Sequence, residues 1–263
     1  MTRLRLSLCP LIVLLLFSFL VVPSSAQSVE SIIEEMRAVQ NEQFEGVDTY
    51  TVETTHYTSY NKKTGEGNPP TFRTETRMKS DANANVDLGT PSKAYGPQLD
   101  HLKQRATYEG TETVNGTQCH TLRVSSLPTE SESAGKAQGI TYYVSADRHL
   151  ISRMTMETQG QGQGPGSGQK VITVNLKNYT TTDGLTLPHR IEVQFDLNMS
   201  DEQRQQMKQM MEKMKNMPKQ QRERMQQMMG GQMDMLKKMM SDEPMVIEVQ
   251  NVSVNANLPD GIF

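Results

Sequence analysis

Beyond residue 46, and outside the segment 199–245, apolar residues of this 263-residue chain recur at every second position in short runs divided by turn-forming residues. That period belongs to strands with one buried face. Residues 47–60 alternate with Tyr50 and Val52 on one side, 61–70 read as a loop by composition, and 71–78 resume with Phe72 and Met78. Asn115-Gly116 separates strands predicted over 106–114 and 119–127, because both residues of the dipeptide tolerate positive φ and so suit a two-residue hairpin. Leu122 and Val124 share a face of the second strand. Ile140, Tyr142 and Val144 mark the next one, Ala146-Asp147-Arg148 a turn, and Leu150, Met154 and Met156 the strand after it. Ile172, Val174 and Leu176 lead through Asp183-Gly184 into 187–197, which carries Val193 and Phe195, and 246–254 close the series. This makes eight or nine strands. Sequential hairpins build an antiparallel meander with one apolar and one polar face.

The leading segment has a different period. Val29, Ile32, Ile33, Met36 and Val39 recur at three and four, with Ser28 placed to cap and Glu30 in the first turn, so 28–43 is predicted to be a helix. A short helix is also expected near 99–104. One leading helix covers only part of a sheet face. With 5% aromatic residues and no tryptophan, the expected architecture is α+β: a curved antiparallel sheet, or half-barrel, whose concave side is incompletely filled and would take an apolar ligand. The inward residues expected to line that cavity are Tyr50, Val52, Phe72, Met78, Leu122, Val124, Ile140, Tyr142, Val144, Met154, Met156, Ile172, Val174, Leu176, Val193 and Phe195.

A polar, methionine-laden insertion separates the last two strand-like runs. Fourteen of the nineteen methionines lie between 199 and 245. Met207, Met210, Met211, Met214 and Met217 step by three and four, Pro218 interrupts, Met225, Met228 and Met229 resume the pattern, and Gly230-Gly231 breaks it again. These spacings predict an inserted Met-rich helical arm over 199–244, with thioethers on one face. Methionine is unbranched and polarizable, and it moulds to irregular apolar shapes. These eight methionines are the expected lid of the cavity; the plainer alternative packs the arm against the domain as ordinary core.

Residues 1–26 have the form of a signal peptide: Arg3 and Arg5, an apolar run over 6–22, and Ser24-Ser25-Ala26 before Gln27. The mature chain is then exported, periplasmic and soluble, with no transmembrane segment. It divides into 27–198 plus 245–263 as the sheet domain and 199–244 as the arm. Removing Arg3 and Arg5 takes the formal charge from −3 to −5, which argues against nucleic acid and against an anionic membrane surface. Cys119 becomes the only cysteine, so no intrachain disulfide forms. Cys119 and His120 are neighbours on one strand and point to opposite faces, so they do not pair as nucleophile and base. The five histidines have no paired metal-ligand spacing. No catalytic residue, metal or cofactor is expected, and the chain does not read as an enzyme.

Three segments, 110–116 leading to Cys119, Asn178-Tyr179 followed by 183–188, and 251–263, resemble the bacterial outer-membrane lipoprotein-sorting proteins, the LolA-like periplasmic carriers. The resemblance excludes the arm. It implies an open antiparallel half-barrel closed by helices, whose concave side shelters acyl chains, with a lipid or an acylated protein as partner. The function read from the chain is thus an exported carrier of acyl chains, lipoprotein or another apolar ligand. Two alternatives stand beside it: an envelope protein-interaction or sensor module that docks a protein partner through the arm, and a Met-rich protein that holds Cu(I) through thioethers.

Overall fold

The computed structural model describes residues 27–79, 99–125, 137–159, 169–196 and 243–263, with Glu202, Gln205, Gln206, Gln209, Glu212 and Lys213. Those six isolated positions are helical and exposed. The leader expected at 1–26 and the methionines expected to form the lid lie outside the described residues.

Helix α1 (Val29–Gln43) starts where the sequence places it. Ser28 is extended at the cap, its side chain accepts from the Ser31 backbone N–H, and Ser31 reciprocates, which satisfies otherwise orphaned donors. Strands β1 (Thr49–Thr54), β2 (Tyr57–Gly65) and β3 (Thr71–Met78) follow, then α2 (Leu99–Arg105). The remainder is β4 (Ala106–Val114), β5 (Thr117–Val124), β6 (Ala137–Ser145), β7 (Ile151–Gln159), β8 (Gln169–Thr182), β9 (Leu185–Asp196) and β10 (Met245–Val254). They form one ten-stranded sheet in the order β3-β2-β1-β10-β9-β8-β7-β6-β5-β4. Every pairing is antiparallel, and among the described residues no further strand pairs with β3 or β4, so the sheet is open and the expected α+β class, one antiparallel sheet with helices, holds. No helix among the described residues is long and apolar enough to cross a membrane.

Two strand boundaries correct the sequence reading. The run 47–60 is not one strand but β1 and β2, joined by a turn at Thr55-His56, and 61–65 continue β2 instead of forming a loop. The turn is made by a threonine side chain. Thr54 Oγ1 accepts from the backbone N–H groups of His56 (3.1 Å) and Tyr57 (3.0 Å) and donates to the Tyr57 carbonyl (2.9 Å). Such hydroxyl-to-backbone bonds mimic a turn without Gly, Pro or Asn. Asn61, polar by composition, is buried: its amide donates to the Tyr50 carbonyl and Ser59 Oγ, and its Oδ1 accepts from Thr74 Oγ1 at 2.7 Å. A satisfied amide of this kind stitches β1, β2 and β3 together.

The phase of β10 explains how the chain turns back to its start. Met245, Ile247 and Val249 are buried in alternation, Gln250 and Asn251 are both exposed, and Val252 is buried again. The register shifts at the matching point, between Glu53 and Thr54 of β1. Gln250 and Asn251 therefore form a bulge that keeps valines on the inner face along the whole strand.

Both helices lie on that inner face. Ile32, Ile33 and Met36 of α1 and Leu99 and Leu102 of α2 join Tyr57, Leu122, Val124, Val144, Ile151, Leu176, Ile191, Val193, Met245 and Ile247 in one buried cluster. A second cluster gathers Val47, Tyr50, Val52, Leu185, Leu187, Val249 and Val252, with the rings of Phe44 and Phe72 against it. Arg37 on α1 donates to the Asn68 carbonyl (2.6 Å), in the β2–β3 loop, and to Asp100 (2.7 Å), on the helix that leads into β4. One side chain thus touches structure attached to both edges, which requires the sheet to curl around α1. The outer face carries the charge. Lys177 and Arg190 flank Glu192 at 2.6 and 2.7 Å, Arg190 reaches Glu248, and Arg123 holds Glu157 at 3.0 Å.

Candidate functional site

The inner face is built by alternation and then aligned by register. Tyr108, Leu122, Tyr142, Met154, Val174, Val193 and Met245 are consecutive cross-strand partners over β4 to β10. Two residues further along each strand, Ala106, Val124, Ile140, Met156, Ile172 and Phe195 make a parallel row over β4 to β9. At the other end of the same face stand His120, Val144, Ile151, Leu176, Ile191 and Ile247. Directly opposed apolar side chains on adjacent strands touch, so the first two of these rows are continuous apolar strips.

Burial falls from one row to the next. The row through Val144 and Ile191 is buried throughout, at 5% exposure or less. The middle row mixes buried Leu122, Val193 and Met245 with half-buried Tyr108, Tyr142, Met154 and Val174. In the third row only Val124 is buried, while Ala106, Ile140, Met156, Ile172 and Phe195 are half-buried. Ile140 and Met156, paired with each other, stand outside the buried cluster.

The gradient follows the connections. At the buried end the strands are joined by Asn115-Gly116, by 146–150 and by Asp183-Gly184. Asn115 and Asp183 have φ of 51° and 47° and are followed by glycines at 82° and 86°, the left-handed pair that a two-residue hairpin needs. At the half-buried end the strands are separated by 125–136, 160–168 and 197–244. At ~4.8 Å per strand the third row is about 24 Å long.

The sequence-predicted set is divided by the structure. Leu122, Val124, Val144, Leu176 and Val193 are buried in the main cluster, and Tyr142, Met154, Ile172, Val174 and Phe195 pack against it. Tyr50 and Val52 are buried in the second cluster with Phe72 beside them, the three rings of Phe44, Tyr50 and Phe72 lying 4.9 to 5.9 Å apart. Met78, near the end of edge strand β3, is exposed at 41%. The set therefore lies on one face but in two bodies of side chains, with Met78, Ile140 and Met156 outside both. Alternation tells which face a residue takes, and register and helix placement decide its depth. The expected lid, Met207, Met210, Met211, Met214, Met217, Met225, Met228 and Met229, lies outside the described residues.

The polar groups near this face are few. Burial pushes the Tyr57 hydroxyl up to about 12 and raises Tyr50, Tyr142 and Tyr179 as well. Tyr179 donates to the Ile151 carbonyl. Burial also raises the Cys119 thiol, whose Sγ lies 3.6 Å from the Thr117 carbonyl, the environment of a packed thiol. Among the described residues no group of three or more His, Cys, Asp or Glu side chains is arranged to hold a metal ion. Composition gave no sign of Asn61, Thr54 or Arg37; the signal for the first two was a polar residue at an inward position of an alternating run.

No protein-family model matches the chain. No curated protein matches it. Solved structures do. A DUF1329 family protein from Desulfovibrio piger ATCC 29098 is 10% identical, with 89% of this chain and 96% of that one covered and a TM-score of 0.45. An outer membrane lipoprotein-sorting protein domain from Vibrio parahaemolyticus is 10% identical, with coverage of 89% and 94% and a TM-score of 0.44. A LolA superfamily protein from Nitrosomonas europaea is 12% identical, with coverage of 90% and 98% and a TM-score of 0.41.

Proposed function

We propose that this protein is an exported carrier that holds an acyl chain or another apolar ligand along the half-buried row from Ala106 to Phe195. The observation that supports this reading is the register. Six apolar residues stand side by side across six strands, and five of them keep part of their surface at the end of the face where burial is least. A strip of that length accommodates an extended chain laid across the strands. Burying ten methylenes there gains roughly 8 kcal/mol before ordering costs, so affinity needs no charged contact. The resemblance of the sequence segments to lipoprotein-sorting carriers points to a lipid or an acylated protein as cargo.

Binding, without bond chemistry, is the activity proposed. The methionines of the arm are assigned as an adaptable cover from their spacing and side-chain chemistry alone. Replacing 200–243 by a short turn should leave the sheet folded and weaken retention of a fluorescent acyl probe; undiminished retention would give the methionines another task. For the row itself, Met156→Asp should weaken the probe roughly tenfold or more, because a carboxylate must then be desolvated or the chain displaced. Its urea midpoint should stay near that of the parent, since Met156 is already half-exposed. Equal uptake by parent and variant, or no saturable uptake by the parent, overturns the proposal.

A further inference from the structure

At the buried end of the face three titratable side chains meet where α1 crosses the sheet. His149 Nδ1, in the β6–β7 connection, lies 3.3 Å from Glu35 Oε2 on α1 but lacks hydrogen-bond geometry. Gln27 Nε2 donates to the same carboxylate oxygen at 3.4 Å. His120 of β5 is 5% exposed, and its Nδ1 is buried with no hydrogen-bond partner. From β4 the Tyr108 ring faces it at 6.0 Å between centroids, and from β6 its register partner Val144 brings no charge. The charged groups that act on His120 are Glu35, which favours its protonation, and His149, which opposes it. The other acidic residues of this side of α1 are engaged elsewhere: Glu30 and Glu34 both pair with Lys103 of α2.

We propose that His120, with His149 and Glu35 around it, makes the seating of α1 on the sheet sensitive to acid. With both imidazoles neutral, His120 is tolerated as an uncharged member of the buried row, and Ile32, Ile33 and Met36 stay docked. A proton on His120 puts a cation among apolar groups, with no hydrogen-bond partner at its buried Nδ1. The Glu35 carboxylate favours the charged form of His120, which limits the effect without cancelling it, because desolvation is the larger influence.

The sign follows from linkage. Burial holds the folded-state value of His120 below its ordinary 6.5. The undocked form therefore takes up the proton first, and docking weakens as pH falls below about 6.5, down to the depressed folded value, below which the loss is complete. The device needs no ligand and stands apart from the carrier reading.

Amide hydrogen exchange of α1 in the full chain, corrected for the intrinsic pH dependence of exchange, tests it. Protection at Ile32, Ile33 and Met36 should fall roughly fivefold or more between pH 7.5 and 5.5. His120→Leu should abolish that dependence, and Glu35→Gln, which removes the one favourable field on the imidazolium, should deepen it. A merely structural role would not move the two variants in opposite directions. An unchanged dependence in His120→Leu, or flat protection in the parent, overturns the proposal. If His120→Leu does not fold, the ring-proton titration of His120 in the parent decides: a midpoint below 6.5 supports the proposal, and one at or above it refutes it.

Discussion

The two ends of the inner face are made of the same kinds of residue on the same strands, yet they differ in what covers them. At the end of the tight turns, Val144, Ile151, Leu176, Ile191 and Ile247 belong to one buried cluster with α1 and α2. At the end of the long connections, Ile140, Met156, Ile172 and Phe195 repeat the pattern but remain half-buried. An apolar strip finished by the protein's own helices is core; one left partly open has the character of a binding surface. The depth gradient, and not the hydrophobicity of the residues, separates core from the proposed binding surface here.

The comparison is broken most directly by matched truncations. Ile191→Ala, at the buried end, should cost about 2–5 kcal/mol, read as a lower urea midpoint at unchanged slope, whereas Ile172→Ala should cost about half as much or less. Equal losses would mean that both ends are core. Asn61→Ala should cost about 1–3 kcal/mol, because it leaves the Thr74 hydroxyl without its buried acceptor and opens the β1–β3 section. Acyl-probe affinity should be unchanged, since that section lies beyond β10. Ser28→Ala should cost about 1 kcal/mol by removing the α1 cap. It should loosen the closed end and leave the open row as it was. The smallest effect belongs to the outer face. Lys177 and then Arg190 hold the Glu192 carboxyl below its usual 4.5, so this charge stabilises the folded form at neutral pH and the contribution disappears as pH falls through the depressed value. Stability curves of parent and Glu192→Gln should accordingly separate at pH 7 and converge in acid.

Much of this arrangement was legible in the chain. Period-two alternation located β3 to β10 and named most of the inner residues, and the stripe from Val29 to Val39 with Ser28 before it gave α1 to within a residue. Asn115-Gly116 and Asp183-Gly184 gave two turns because their backbone demands are visible in residue type. The turn at Thr55-His56 was hidden: threonine is both a strand former and a turn-making hydroxyl, and only the structure shows which role Thr54 takes. The strand character of 61–65 was hidden for a related reason, since Asn61 is buried only because three partners satisfy it. Depth was not legible at all. Val144 and Ile140 are four residues apart on one strand and face the same way, yet one is buried in the cluster with the helices and the other is partly exposed.

Methyl NMR of the full chain with a nitroxide-bearing acyl chain tests the central claim most directly. Bound label should broaden the methyl signals of Ile140, Met156 and Ile172 and spare those of Val144, Ile191 and Ile247. Broadening of the second set at the same label concentration, or of neither, would contradict the division of the face into a filled end and an open one.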